Sequence, residues 1–130
     1  MLESRNNTEN DLETVELKAF VPSLDFDLSK RFYQDLGFRI PWSSDELAYV
    51  SHGNCTFLLQ RFYEKQLAEN LMMHLSVKNV DAWWSHLQNQ NIAEKYDVKI
   101  TDPEQRPWNM RDFVLIDPSG VMWRISENTE

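Results

Sequence analysis

Few side chains in this 130-residue chain combine chemical reactivity with an informative position. His74 lies within residues 71–78, whose alternating pattern predicts a β-strand. An imidazole can ligate a metal or transfer a proton, but one histidine needs converging partners for either task. Cys55 is the single cysteine, which excludes an internal disulfide, and no motif beside it indicates a nucleophile. Only three glycines are present, which leaves little room for a phosphate-binding loop.

The overall composition narrows the range of partners. The net charge of −8 argues against nucleic acid, because phosphate binding needs a basic surface. The same charge would concentrate a cationic ligand, or would simply keep the protein soluble. We find no apolar run of membrane-spanning length and no basic-then-apolar leader, so we expect no membrane partner and a cytoplasmic protein.

The first half of the chain predicts a polar tail and then a strand–helix–strand pattern. Residues 1–14 are mostly polar and predict disorder, so we place a single domain at residues 15–130. A strand is expected over residues 16–22, followed by a helix that Asp27 caps and Gly37 ends. Three short strands then follow. They are predicted over residues 38–42, 47–51 and 55–61.

The second half repeats this order of elements. Residues 71–78 predict a strand, and Asp81 is expected to cap a helix with Trp83 and Trp84 on its apolar face. A strand over residues 94–100 and a loop over residues 101–110 come next. The chain then forms a hairpin of residues 112–116 and 121–126, whose turn Asp-Pro-Ser-Gly has type I preferences.

The two halves match each other at a fixed offset of 54 positions. Residues 21–38 align without a gap on residues 75–92, so that Asp27 falls on Asp81 and Gln34 on Gln88. A repeat of this kind predicts one fold built from two copies of a unit. We therefore expect an α+β fold of two βαβββ modules, at about residues 15–62 and 71–128.

Two stretches carry a family resemblance. They are residues 20–38 (FVPSLDFDLSKRFYQDLGF) and residues 113–128 (FVLIDPSGVMWRISEN). On these stretches the chain resembles the vicinal oxygen chelate superfamily of glyoxalases, bleomycin-resistance proteins and extradiol dioxygenases, and most of all its bleomycin-resistance-like branch. The resemblance implies a cupped mixed sheet around a cavity, and a homodimer whose cavity lies at or near the subunit interface.

The resemblance also implies where the metal ligands of the family's enzymes would lie. In this sequence those positions hold Lys18, a residue within 57–60, Met72 and Arg124. Two of the four are cations, which repel a divalent metal ion. We therefore expect no metal and no cofactor, with His74 as the one weak candidate ligand.

Alternation along the strands predicts which side chains face the cavity. Trp42 and Trp108 are further candidates, Trp108 because an indole in a polar loop could close over a ligand. The predicted ligand-binding residues are Lys18, Phe20, Trp42, Leu58, Gln60, Met72, His74, Trp108, Met122 and Arg124. The same strand residues could instead pack the interior, and Trp108 could fold back on the core.

These expectations favour a metal-free small-molecule binding protein of the bleomycin-resistance type, which sequesters a small organic ligand and gives antibiotic resistance. No catalytic residue is assigned. Two alternatives stay open. One is a glyoxalase-like lyase, isomerase or dioxygenase. It would be either metal-dependent through unrecognised ligands, or a metal-free lyase or isomerase that uses His74 with Lys18 or Arg124. The other is a dimeric module with a filled cavity.

Overall fold

Each half of the chain folds into a four-stranded mixed sheet with helices on one side. The structure, a computed structural model, describes residues 11–130, so most of the predicted tail lies outside the described residues. The first module contains β1 (Phe20–Pro22), α1 (Phe26–Leu36), β2 (Arg39–Ser43), β3 (Leu47–His52) and β4 (Cys55–Gln60), and α2 (Lys65–Asn70) leads out of it. The second contains β5 (Met72–Ser76), α3 (Val80–Asn89), α4 (Ile92–Tyr96), β6 (Glu104–Arg106), β7 (Met110–Ile116) and β8 (Met122–Asn128).

The strand order is the same in both sheets. The first sheet runs β1-β4-β3-β2 and the second β5-β8-β7-β6. In each sheet the outer strand that opens the module pairs in parallel with the last strand, and the remaining pairs are antiparallel. The predicted α+β class with two repeated modules is confirmed. The domain bounds themselves stay a prediction. Within residues 11–130, no helix has both the length and the apolar content needed to cross a membrane.

The N-cap of helix α1 lies two residues earlier than predicted. Asp25 is the N-cap, since its backbone is extended and its carboxylate accepts a hydrogen bond from the Leu28 amide at 3.1 Å. Our prediction of Asp27 as the cap is wrong, and Asp27 lies in the first turn. Gly37 ends the helix as predicted, with a φ of 120° that favours glycine.

The second module departs from the prediction at three places. Asn79, not Asp81, caps α3, and its side chain accepts a hydrogen bond from the Ala82 amide at 3.0 Å. The predicted strand over residues 94–100 is wrong, because helix α4 occupies its first part. Burial of Ile92 and a 2.6 Å hydrogen bond from the Tyr96 hydroxyl to Asp35 fix that helix against α1. The predicted loop over residues 101–110 contains strand β6.

One aromatic core joins the modules. The ring of Tyr33 on α1 lies 5.1 Å from that of Phe57 in the first sheet and 5.6 Å from that of Trp123 in the second. All three side chains are buried. The helices cover this side of both sheets, so the opposite face of each sheet is not covered by helices. We call these the uncovered faces.

Candidate functional site

The uncovered face of the second sheet carries four of the predicted binding residues. The β5–β8 register pairs Met72 with Met122 and His74 with Arg124. Directly paired residues share a sheet face, and residues two apart on a strand do too. The four side chains therefore form two adjacent rows, an apolar row of methionines and a polar row of His74 and Arg124.

The uncovered face of the first sheet is more aromatic. Phe20 pairs with Leu58, Leu58 with Tyr49, and Tyr49 with Trp42, so these four residues form one row across the sheet. Gln60, two residues after Leu58, lies on the same face. Phe20 and Trp42 are 52% and 54% exposed. Phe20 and Trp42 therefore do not pack the interior of a single chain, whereas Leu58 and Gln60 are partly buried.

Lys18 is held beside this row by a short polar network. Its ammonium donates a hydrogen bond to Glu16, whose other carboxylate oxygen accepts one from the Tyr49 hydroxyl. These two hydrogen bonds lower the pKa of Glu16 to about 2, and the bond from Lys18 has the larger effect. Sequence reasoning missed Glu16 and Tyr49.

Arg124 is held by a buried carboxylate that sequence reasoning also missed. Asp112 on β7 is 1% exposed. It accepts one hydrogen bond from Arg124 Nη1 at 3.1 Å and another from Arg106 Nε at 3.0 Å. Arg106 also donates to Glu104 at 2.9 Å. Asp112 could have been found by counting through the predicted hairpin turn, which places it on the face of Arg124.

His74 is oriented by a hydroxyl group. Its Nε2 lies 2.6 Å from Ser126 Oγ, and either atom can be the donor according to the imidazole tautomer. Ser126 is fully buried, so its hydroxyl group positions the ring and is not accessible to a substrate. His74 itself is exposed.

A cavity of about 500 Å³ lies between the modules next to His74. It is lined by residues that precede β1, by the start of β4 and by β5. They include Glu16, Phe57, His74, Ser76 and Trp123. The polar and apolar groups of this lining suit a small organic ligand.

Trp108 lies at the tip of the β6–β7 hairpin and is 62% exposed. The alternative in which its indole folds back on the core is therefore not what the structure shows, and its role in ligand binding stays a prediction. The next residue, Asn109, adopts a left-handed φ of 61° in this tight turn.

Comparison with known proteins identifies the family. A model of the Glyoxalase/Bleomycin resistance protein/Dioxygenase superfamily matches residues 18–125. The chain belongs to this superfamily. The resemblance inferred from residues 20–38 and 113–128 is thereby confirmed. No curated protein matches the chain.

Solved structures of this superfamily share the fold at low sequence identity. A bleomycin-binding protein complexed with bleomycin has a TM-score of 0.75 at 23% identity, covering 88% of this chain and 99% of its own. The antibiotic-binding protein TnmS3 from Streptomyces sp. CB03234 has a TM-score of 0.69 at 20% identity, covering 89% and 98%. Lactoylglutathione lyase from Agrobacterium tumefaciens has a TM-score of 0.66 at 14% identity, covering 92% and 97%. Binders and an enzyme therefore have the same architecture.

The donor set of this superfamily member does not fit a divalent metal chelate. Lys18 and Arg124 lie at two of the four positions that the resemblance implies for metal ligands, and both are hydrogen-bonded cations. Residues 57–60 include no His, Asp or Glu, and Met72 offers no hard donor. In the part of the chain that the structure describes, no three His, Cys, Asp or Glu side chains come together as a metal site. We derive no chemical step through a metal.

Proposed function

We propose that this protein binds a small organic molecule and sequesters it, without metal chemistry, on the uncovered faces of its two sheets. The observation that carries the proposal is the exposure of large apolar side chains there. Phe20, Trp42 and Met72 are each more than half exposed in a single chain. Exposed apolar surface of this extent beside ordered polar groups is typical of a binding site.

The second part of the proposal is that two copies of the chain complete the site. Each sheet face is open in one chain, whereas a ligand site usually encloses most of its ligand. Val15 and Leu17, just before β1, are 97% and 94% exposed, and they lie beside the cavity of His74. A symmetric dimer would bury these apolar residues and would cover both faces at once.

The structural neighbours support binding as the activity. A bleomycin-binding protein and an antibiotic-binding protein have the fold of this chain, and a sequestering protein needs only a complementary cavity. We extend the proposal to antibiotic resistance, with bleomycin as the first compound to test, although the cations Lys18 and Arg124 suit an anionic ligand better than this polycation. A growth assay with bleomycin, with and without expression of the protein, decides that extension. Equal growth inhibition in both cultures would exclude bleomycin.

A metal-free lyase or isomerase is the second candidate, because His74 stands exposed beside Arg124 on one face. Such an enzyme would use the His74 imidazole to move a proton and the Arg124 guanidinium to stabilise a developing negative charge. The two candidates differ in whether a bound compound is chemically changed. Mass spectrometry of the compound after incubation with the protein separates them.

Tryptophan fluorescence tests binding directly. We expect saturable quenching by at least one member of a small-molecule panel that includes bleomycin, and we expect Trp108→Ala to weaken it. Trp84→Phe is the matched control, because the Trp84 indole donates to the Thr101 carbonyl away from the proposed site. No quenching by any compound would count against the proposal. Quenching that is unchanged in Trp108→Ala would count against a role for Trp108 in ligand binding.

A further inference from the structure

We propose that the ligand of this site is an amphiphilic organic anion, whose acidic group binds Arg124 and whose apolar part lies on Met72 and Met122. This inference rests on the proposed binding function and names the chemical class of the ligand. It follows from the arrangement of the charged side chains on the uncovered face of the second sheet.

Two guanidinium groups share one buried carboxylate. Asp112 accepts hydrogen bonds from both Arg124 and Arg106. These three side chains carry two positive charges and one negative charge, so one positive charge is not balanced among them. Glu104 compensates part of it, but it contacts Arg106 and its own side chain is 66% exposed to solvent. Arg124 is therefore the guanidinium with the weaker compensation.

The Arg124 side chain is also held ready for a second acceptor. The structure records Asp112 as its hydrogen-bond partner, through Nη1 alone. A guanidinium has five N–H donors in a rigid fork that matches carboxylates, sulfonates and phosphates. Asp112 is buried and also bound by Arg106, so its own position is fixed and it holds the Arg124 guanidinium in place. A ligand that binds this guanidinium therefore loses little free energy to ordering the side chain.

His74 adds a second polar group next to Arg124. The two residues are direct cross-strand partners, and His74 Nε2 is hydrogen-bonded to Ser126 Oγ. Nδ1 is then the ring nitrogen that remains for a ligand. A protonated His74 would strengthen the binding of an anion, and a neutral one could still donate a hydrogen bond from Nδ1.

The apolar row lies one step along the sheet. Met72 and Met122 come two residues before His74 and Arg124, which is about 7 Å along a strand. Methionine side chains adapt to varied apolar shapes. A ligand with its acidic group and its apolar rings about that far apart would contact both rows.

The negative net charge of the chain opposes the binding of an anion, which makes the inference testable. At −8 the protein as a whole repels anions, so without a local site a sulfonate group should weaken binding. A preference for the anion over its neutral counterpart would therefore have to arise from a few residues.

A pair of fluorescent probes that differ by one sulfonate tests the inference. They are 8-anilinonaphthalene-1-sulfonate and N-phenyl-1-naphthylamine, titrated into the full-length protein at neutral pH. We expect the sulfonate probe to bind about tenfold more tightly, as a charge-assisted hydrogen bond implies. Arg124→Gln should abolish that preference and leave the neutral probe within about twofold.

Three further variants complete the design. Lys65→Gln removes one positive charge from exposed α2 and should leave both affinities unchanged. Arg106→Gln removes the other partner of Asp112 and should reduce sulfonate binding less than Arg124→Gln does. Arg124→Met retains side-chain length, and replaces Arg124→Gln if circular dichroism shows that the glutamine variant does not fold.

The outcomes separate the two proposals. Equal affinity for both probes, or a sulfonate preference that survives Arg124→Gln and Arg124→Met, would overturn the anion inference and leave the binding function standing. Binding of neither probe would overturn this inference and count against the proposed function as well.

Discussion

Tyr33 on α1 donates a hydrogen bond to the carboxylate of Asp117, 84 residues further along the chain. The other oxygen of Asp117 accepts from the amides of Ser119 and Val121 at 2.8 and 2.9 Å, which fixes the β7–β8 turn. The Trp123 indole in turn donates to the Tyr33 hydroxyl at 2.9 Å. Burial raises the pKa of Asp117 and the pKa of Tyr33. A helix of the first module thus organises the turn of the second.

The first prediction follows from this link. Tyr33→Phe should lower the free energy of unfolding by about 1–3 kcal/mol, because it leaves the buried Asp117 carboxylate with one donor fewer and the Trp123 indole without its acceptor. Urea unfolding measures the change. Tyr96→Phe is the matched control, since it removes a hydroxyl bonded to the half-exposed Asp35. A loss for Tyr33→Phe no greater than for Tyr96→Phe would contradict the prediction.

The sequence predicted the faces of the sheets well, because strand periodicity is two and a tight turn fixes register. The Asp-Pro-Ser-Gly turn sets Met122 opposite Ile116, and every later pair of β7 and β8 follows. The pairs of Met72 with Met122 and of His74 with Arg124 agree with the alternation predicted for each strand. Local rules were sufficient there.

Local rules failed where tertiary contacts decided between alternatives. Both Asp25 and Asp27 are good caps, and burial of Phe26 as the first helical residue selects Asp25. Residues 94–100 alternate like a strand, but buried Ile92 and the bond of Tyr96 to Asp35 hold their first part as a helix. The Arg106–Asp112–Arg124 group depends on three strands at once, so no single segment predicted it.

The second prediction concerns Glu16. Its pKa of about 2, against an ordinary 4.5, should appear as the midpoint of an NMR titration of its carboxyl carbon. Because the folded-state pKa is lowered, the contact stabilises the folded state above pH 4.5, and its contribution is lost as the pH falls toward 2. Lys18→Met should raise the midpoint, since the Lys18 hydrogen bond is the largest cause of the shift. A wild-type midpoint near 4.5 would show that this network does not form in solution.

The third prediction tests the proposed dimer. Phe20→Glu places a charge in the exposed aromatic row, so it should weaken association of the two copies while leaving the fold intact. Sedimentation velocity of the wild type should show a dimer, and the variant should shift toward the monomer. Leu67→Glu on α2 is the control, because Leu67 is similarly exposed but belongs to a helix and not to the aromatic row. A monomeric wild type at micromolar concentration would rule out the proposed dimer.

The fourth prediction concerns metal binding. After incubation with Zn²⁺, Ni²⁺ or Mn²⁺ and desalting, elemental analysis should find far less than one metal ion per chain, because Lys18 and Arg124 place cations at ligand positions. Stoichiometric metal that is lost in His74→Ala would contradict this expectation.

The same reasoning gives a gain-of-binding test. If the ligand positions inferred from the family are correct, Lys18→His places an imidazole beside the first sheet, and Met72→His with Arg124→Glu places an imidazole and a carboxylate on the uncovered face of the second. Two imidazoles and a carboxylate suit Zn²⁺. We expect this triple variant to retain about one Zn²⁺ per chain where the wild type retains little. Asp112 keeps Arg106 as its partner in the triple variant, so its buried charge stays paired. A folded triple variant that binds no Zn²⁺ would show that the three positions do not converge, and would overturn the inferred arrangement of the two faces around one ligand.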